Sequence, residues 1–280
     1  MPEGNEVHRF RDRQAATFAG RTLHADSPSG QFPDATLLDG RKLRGIIAHG
    51  KHLGYDFGRD LILHVHLGRF GDFTEGKGPL AEPKGALRLR IWTERKGQRK
   101  GQRNGQSRGQ IDWLELRGPS DCSIYDQKKW ERLMARLGPD PLEKGADPKP
   151  AFATIAERKT PIGMLMMDQS VLSGIGNIYR AELLYRAQLS PFRPGAAVDP
   201  KRLRAIWKDA MTLMADGMID RRIVTTRTKD RLHRRGPAQR GEVHYVYRRK
   251  GKPCLVCGTA IQSRDMAGRT LYWCPVCQKD

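Results

Sequence analysis

The sequence predicts an α+β chain in two domains: a mostly β N-terminal domain, and a helical C-terminal domain that ends in a small metal module. Three observations carry this. Apolar and polar residues alternate in the first half, with Leu61, Leu63, Val65 and Leu67 facing one way and Ile62, His64 and His66 the other. In the second half apolar residues recur at helical spacing, through Leu203, Ile206, Trp207, Ala210, Leu213, Met214 and Met218. Near the C-terminus four cysteines stand as two C-x-x-C pairs.

The elements follow in order. Val7, Phe10, Ala15 and Phe18 predict an opening helix, with Pro2 at its entrance, Glu3 and Glu6 at the positive end of its dipole, and Gly20 as its stop. Strands follow at 53–57 and 61–67, joined by the tight turn Gly58-Arg59-Asp60, then at 86–92 and 111–116. Gly and Pro between the strands suit a sandwich or barrel. Residues 95–110, with six basic and no acidic side chains, form a degenerate repeat that cannot pack in a core. This is expected to be a loop insertion, a solvated tether or an extra contact to a polyanion. The Pro/Gly-rich stretch 138–150 is the linker, which gives domains over 1–137, 151–240 and 241–280. Asp199 and Pro200 mark the start of the long helix.

Length and charge bound the function. At 280 residues the chain can bury a core without disulfides, and no apolar run reaches the roughly 18 residues of a membrane helix. No secretory h-region opens the chain, so an intracellular location is expected. The 51 basic against 31 acidic residues give a net charge of +20, which favours nucleic acid first and an anionic membrane surface second. Residues 221–250 alone carry eleven basic and two acidic side chains.

Three motifs bear chemistry. Cys254, Cys257, Cys274 and Cys277 have the spacing of a closed tetrahedral site, so one structural zinc is expected ahead of an iron–sulfur centre. Between the pairs Ile261 and Tyr272 flank a hairpin turning at Met266-Ala267-Gly268, with Arg264 and Arg269 on it. Cys122 lies apart and reads as a buried hydrophobe. In SGIGNIYRAE, Gly174 and Gly176 break the chain just before a helix from Asn177, which suits either phosphate binding at a helix N-terminus or an ordinary helix-turn-helix packing unit. Removal of Met1 would leave Pro2 with a free secondary amine, a nucleophile toward an aldehyde-level carbon, beside the carboxyl groups of Glu3 and Glu6; a plain helix entrance is the simpler alternative.

The order MPEG, Gly50-Lys51, SGIGNIYRAE and C-x2-C-x16-C-x2-C closely resembles the formamidopyrimidine-DNA glycosylase/endonuclease VIII family of base-excision repair enzymes. The likeness covers nearly the whole chain except 95–110. It implies an N-terminal β-sandwich carrying a nucleophile-bearing helix, a helix–two-turn–helix domain and a zinc-finger hairpin, with damaged double-stranded DNA in the cleft between domains. It further implies Pro2 as nucleophile at C1′, Glu3 as the acid assisting ring opening and Glu6 as a supporting carboxylate. Lys51, Asn177 and Arg269 become phosphate contacts. His66 becomes a backbone contact, or simply a strand-face histidine. The implied activity is bifunctional: glycosylase chemistry through a proline Schiff base, then β,δ-elimination, by a monomer.

The sequence departs from the purine-specific branch. Arg69 stands where that branch has a methionine filling the void left by the flipped base, and 116–126 lacks its arginine–phenylalanine pair. Arg69, Phe70 or a residue near Pro119 could fill the void. The start PEGNEV favours the endonuclease VIII branch, and so oxidised pyrimidines over 8-oxoguanine or formamidopyrimidine. A non-catalytic damaged-DNA-binding member is the rival class.

Overall fold

The computed structural model describes residues 2–94 and 111–279, so the insertion expected at 95–110 lies outside the described residues. These residues form two compact units: Arg9–Met134 with Pro2, and Glu3–His8 with the chain from Ala135 on. The first helix, α1 (Gly4–Phe18), gives its opening turn to the second unit and the rest to the first.

In the first unit α1 buries Phe10, Gln14 and Phe18, whereas Ala15, placed on the buried face by its spacing, is half-buried. Gln14 is tolerated there because its amide is satisfied: it accepts from the Tyr55 hydroxyl and donates to Glu75 over 2.9 Å. Phe10 packs edge-on against Phe73, ring centroids 5.1 Å apart. Nine strands follow: β1 (Thr22–Asp26), β2 (Arg41–Lys42), β3 (Gly45–His49), β4 (His52–Asp56), β5 (Ile62–His66), β6 (Asp72–Lys77), β7 (Leu87–Glu94), β8 (Ile111–Arg117) and β9 (Asp121–Tyr125). They form two antiparallel sheets, ordered β2-β1-β7-β8-β6 and β3-β4-β5-β9. The turn at 58–60 is as predicted, with all three residues at positive φ and the Asp56 carboxylate accepting from Gly58 N–H over 2.6 Å.

The period of two decides which face is apolar. Leu53, Tyr55, Leu63 and Val65 of one sheet, and Leu87, Leu89, Ile91, Leu114 and Leu116 of the other, are at most 1% exposed. Each such side chain contributes about 1.5–3 kcal/mol of burial. The opposite face of the β3–β4–β5–β9 sheet carries His52, His64, His66 and Asp121 and packs against Trp130 of α2 (Gln127–Met134). Asp126 caps that helix by accepting from Lys129 N–H.

The second unit contains α3 (Lys149–Ala156), α4 (Ile162–Leu165), α5 (Asn177–Arg186) and α6 (Pro200–Asp220), then the hairpin β10 (Gln262–Met266) and β11 (Arg269–Trp273). The start read from Asp199-Pro200 holds: the Asp199 carboxylate accepts from Lys201 N–H at 2.7 Å and Pro200 opens α6. The predicted stripe is buried from Leu203 to Met214, with Met218 half-buried at its end. It packs on Tyr179, Leu183 and Leu184 of α5. The hairpin turns through Ala267 and Gly268, both at positive φ, with Met266 opposite Arg269.

Candidate active site and nucleic-acid interface

The N-terminal motif and the SGIGN motif meet. Gly4 N–H donates to Gly174 C=O at 2.9 Å. The Glu3 carboxylate, 1% exposed, lies on the N-terminus of α5 and accepts from Ile178 N–H at 2.7 Å, Gly176 N–H at 3.2 Å and Tyr179 N–H at 3.3 Å. These are the donors that the first turn of a helix leaves without intrahelical partners. The helix dipole and three donors together fix a negative charge here. Two glycines make the approach possible: a Cβ on Gly176 would stand 2.5 Å from Glu3 Cδ, and one on Gly4 would stand 2.8 Å from Gly174 Cα. The backbone anion site that the glycine pattern offered to phosphate is therefore filled by the chain's own carboxylate.

The charged residues of the same motif are buried scaffolding. Asn177 Nδ2 donates to Thr270 C=O of β11 at 2.9 Å, and its Oδ1 accepts from Arg180. Arg180 is fully buried and donates to the carbonyls of Met266 and Gly163 at 3.3 and 3.4 Å. Burial pushes its pKa down to about 10 although Glu3 and Asp265 act to raise it, so it stays charged at neutral pH. Glu182, also fully buried, accepts from the backbone N–H of Tyr245, Val246 and Tyr247 at 2.7–2.8 Å and from the Thr225 hydroxyl. It thereby ties both ends of the basic segment after α6 to α5. Sequence reasoning singled out Asn177 alone. The signal for the others was two full charges set among the apolar Ile178, Tyr179, Ala181, Leu183 and Leu184.

The cysteines fit a metal. Their four sulfur atoms lie within 4.8 Å of one another, and two pairs are 3.9 and 3.5 Å apart. Zinc–thiolate bonds of about 2.3 Å in a tetrahedron require sulfurs about 3.8 Å apart. All four are free thiols, and backbone N–H groups of Val256 and Cys277 point at Cys254 and Cys274 sulfur. The Tyr185 hydroxyl lies 3.1 Å from Cys254 Sγ. Four thiolates close the coordination sphere, so the zinc is structural.

Three family models match the chain: the formamidopyrimidine-DNA glycosylase N-terminal domain over 1–105, the formamidopyrimidine-DNA glycosylase H2TH domain over 137–228, and the zinc finger found in FPG and IleRS over 251–279. Endonuclease 8 1 of Mycobacterium tuberculosis is 39% identical over 99% of this chain and all of its own length. The chain belongs to the formamidopyrimidine-DNA glycosylase/endonuclease VIII family. The formamidopyrimidine-DNA glycosylase of Thermus thermophilus is 30% identical over 99% of this chain and 98% of its own. A crystal structure of the MutM (Fpg) protein from that organism superposes with a TM-score of 0.71 at 26% identity, covering 99% and 98% of the two chains. A Lactococcus lactis Fpg solved with abasic-site DNA shares the fold, with a TM-score of 0.74 at 19% identity over 99% and 100% of the chains.

Each unit of this glycosylase-family chain gathers its own candidates. In the first, Lys51 lies half-buried in the turn between β3 and β4, and His66 ends the neighbouring β5 opposite His52. Arg69 is exposed just beyond, its guanidinium 5.3 Å from the ring centre of Phe70, which is itself 79% exposed. In the second unit Glu3 immediately precedes α1 and Glu6 lies in its first turn, while Asn177 and Arg269 belong to the paired α5 and β11. Pro2 is half-buried and precedes Glu3. Among the described residues no helix is long and apolar enough to cross a membrane.

Proposed function

We propose that this family member is a bifunctional DNA glycosylase/AP lyase that removes oxidised bases, pyrimidines in preference, from double-stranded DNA. The seating of Glu3 on α5, next in sequence to Pro2, carries the reading. With Met1 removed, Pro2 presents a secondary α-amine, and α-amines have a reference pKa near ~8, low enough to leave a fraction uncharged at neutral pH. Its nitrogen attacks C1′, the N-glycosidic bond breaks, and the base leaves with a proton. Positive charge develops on the sugar and then on the iminium. A carboxylate held in place by three N–H donors stabilises that charge without reorganising. As the C1′–O4′ bond breaks and the iminium forms, O4′ takes up a proton, and the same group can supply it after receiving the proton that the Pro2 nitrogen loses on attack. Loss of the C2′ proton then expels the 3′ phosphate, and a second elimination expels the 5′ phosphate. Glu6, in the first turn of α1, supports this charge.

Lys51 and His66 from one unit and Asn177 and Arg269 from the other serve as phosphate contacts. Asn177 Nδ2 keeps a second hydrogen beyond the one given to Thr270. Cys254, Cys257, Cys274 and Cys277 hold zinc that keeps the hairpin and Arg269 in position and takes no part in bond breaking. The greater identity to a relative named as an endonuclease 8 than to those named as formamidopyrimidine-DNA glycosylases supports the pyrimidine preference. We further take the enzyme to act as an intracellular monomer.

Borohydride trapping on an abasic duplex tests this. A covalent adduct is expected with processed protein, and none with Pro2→Gly or with Met1 retained. Glu3→Gln should slow trapping by about 10²–10⁴. No adduct from protein with a verified free Pro2 rejects the enzyme reading. Equal turnover of dihydrouracil, thymine glycol and 8-oxoguanine rejects the substrate preference.

A further inference from the structure

On the polar face of the β3–β4–β5–β9 sheet three imidazoles meet one carboxylate. His64 Nδ1 is 2.9 Å from Asp121 Oδ2, and His64 Nε2 is 2.9 Å from His52 Nδ1. The carboxylate can only accept, so His64 Nδ1 carries a proton; burial holds His64 below the ordinary imidazole range, so in the neutral ring Nε2 accepts and His52 Nδ1 donates. Both rings are thus fixed as neutral tautomers with a defined direction. Asp121 is oriented in turn by the Ser123 hydroxyl at 2.8 Å and the Tyr125 hydroxyl at 3.3 Å. The His66 ring lies 4.7 Å from that of His52. His66 Nδ1 is 2.6 Å from Ser120 Oγ, and the Ser120 hydroxyl donates to the His66 carbonyl at 3.0 Å. The hydroxyl has one hydrogen for the two contacts; with it on the carbonyl, which can only accept, His66 Nδ1 is the donor of the shorter bond. Nε2 of neutral His66 then holds a lone pair, and a phosphate oxygen cannot bond to a lone pair.

Resting on Lys51 and His66 as a phosphate contact, we propose that this face binds a DNA phosphate with uptake of one proton onto His66. The Asp121–His64–His52 chain is the positioning device that keeps His52 neutral beside it. The proton comes from solvent and adds to Nε2. The resulting imidazolium has both N–H groups satisfied, one by Ser120 Oγ and one by the phosphate. Burial, and then the Lys51 ammonium, hold His66 below the ordinary imidazole range in the free protein. An anion bridging Lys51 and His66 reverses the second cause. Burial, followed by the neighbouring His66, His64 and His49, pushes His52 down to about 3, so it does not compete for the proton. The other charged or titratable groups facing the cluster are His49 of β3, Lys51 in the turn, Asp121 and Tyr125 of β9, and Lys129 of α2, whose ammonium lies 3.9 Å from the Tyr125 ring centre.

Titration calorimetry of the full chain against a duplex with a tetrahydrofuran abasic analogue, at neutral pH in buffers of different ionisation enthalpy, counts the protons. The wild type should take up about one proton per duplex, and its affinity should rise about tenfold per unit fall in pH across that window. His66→Gln should abolish the uptake, and His49→Gln should keep it. Asp121→Asn, which ends the fixed direction of the chain, should change the count. Unchanged melting temperature and zinc content identify folded variants. Binding without uptake, or uptake undiminished in folded His66→Gln, overturns the inference and leaves the glycosylase reading standing. No binding to the duplex removes both.

Discussion

Gly176 lacks a side chain where the Glu3 carboxyl group stands: a Cβ there would lie 2.5 Å from Glu3 Cδ. The backbone of Gly176 is extended at φ −119°, open to any residue, so the requirement for glycine is steric and comes from Glu3. Gly176→Ala should displace the carboxylate and cost about 1–3 kcal/mol of stability. Borohydride trapping should fall at least tenfold while zinc content is retained. Full trapping activity in this variant would show that the seat of Glu3 is not needed.

Tyr185 joins α5 to the metal module through its hydroxyl, 3.1 Å from Cys254 sulfur. Hydrogen bonds to thiolate ligands orient them, and losing such a partner typically costs 10–100-fold in metal affinity. Tyr185→Phe should lose zinc to a chelator correspondingly faster, followed by a colorimetric zinc reporter. Complete zinc removal should abolish duplex binding, because the hairpin that carries Arg269 is pinned by the metal. Duplex affinity unchanged in the zinc-free protein would count against that role.

The histidine face makes the first unit sensitive to acid. An unfolded His52 titrates near its ordinary 6.5, and the folded one near about 3. Between those values the unfolded chain binds more protons, so stability rises with pH and is lost as pH falls through this window. One group contributes at most about 1.4 kcal/mol per pH unit. Melting curves from pH 7 down to 4 should show this slope, and His52→Gln should flatten it. A variant with the wild-type slope would assign the acid lability elsewhere.

Phe70 is 79% exposed with Arg69 against its ring. An aromatic ring held in solvent next to the candidate phosphate contacts suits the void left by a flipped base. Phe70→Ala should leave stability within about 0.5 kcal/mol. It should lower excision of a damaged base tenfold or more while sparing trapping on an abasic duplex, where no base must be extruded. Equal losses on both substrates would argue that Phe70 does not fill the void.

The parts of this protein set by short-range pattern are legible in its sequence. Alternation marked β4 and β5, the Asp199-Pro200 pair marked the start of α6, and C-x-x-C spacing marked the metal ligands, because each depends on residues a few positions apart. The order of the motifs also determined the family. Tertiary structure decided what the motifs do to one another. Glu3 reaches Ile178 across 175 positions, and His64 reaches Asp121 across 57. Neither contact leaves a periodic trace. The glycine-rich turn read locally as an open anion site, and only the fold shows the anion that fills it. Arg180 and Glu182, which no local pattern singles out, are the buried posts of the hairpin and the basic segment. A side chain's partner is set by which elements pack together, and that follows from burial of the whole core, which a local pattern of residues does not encode.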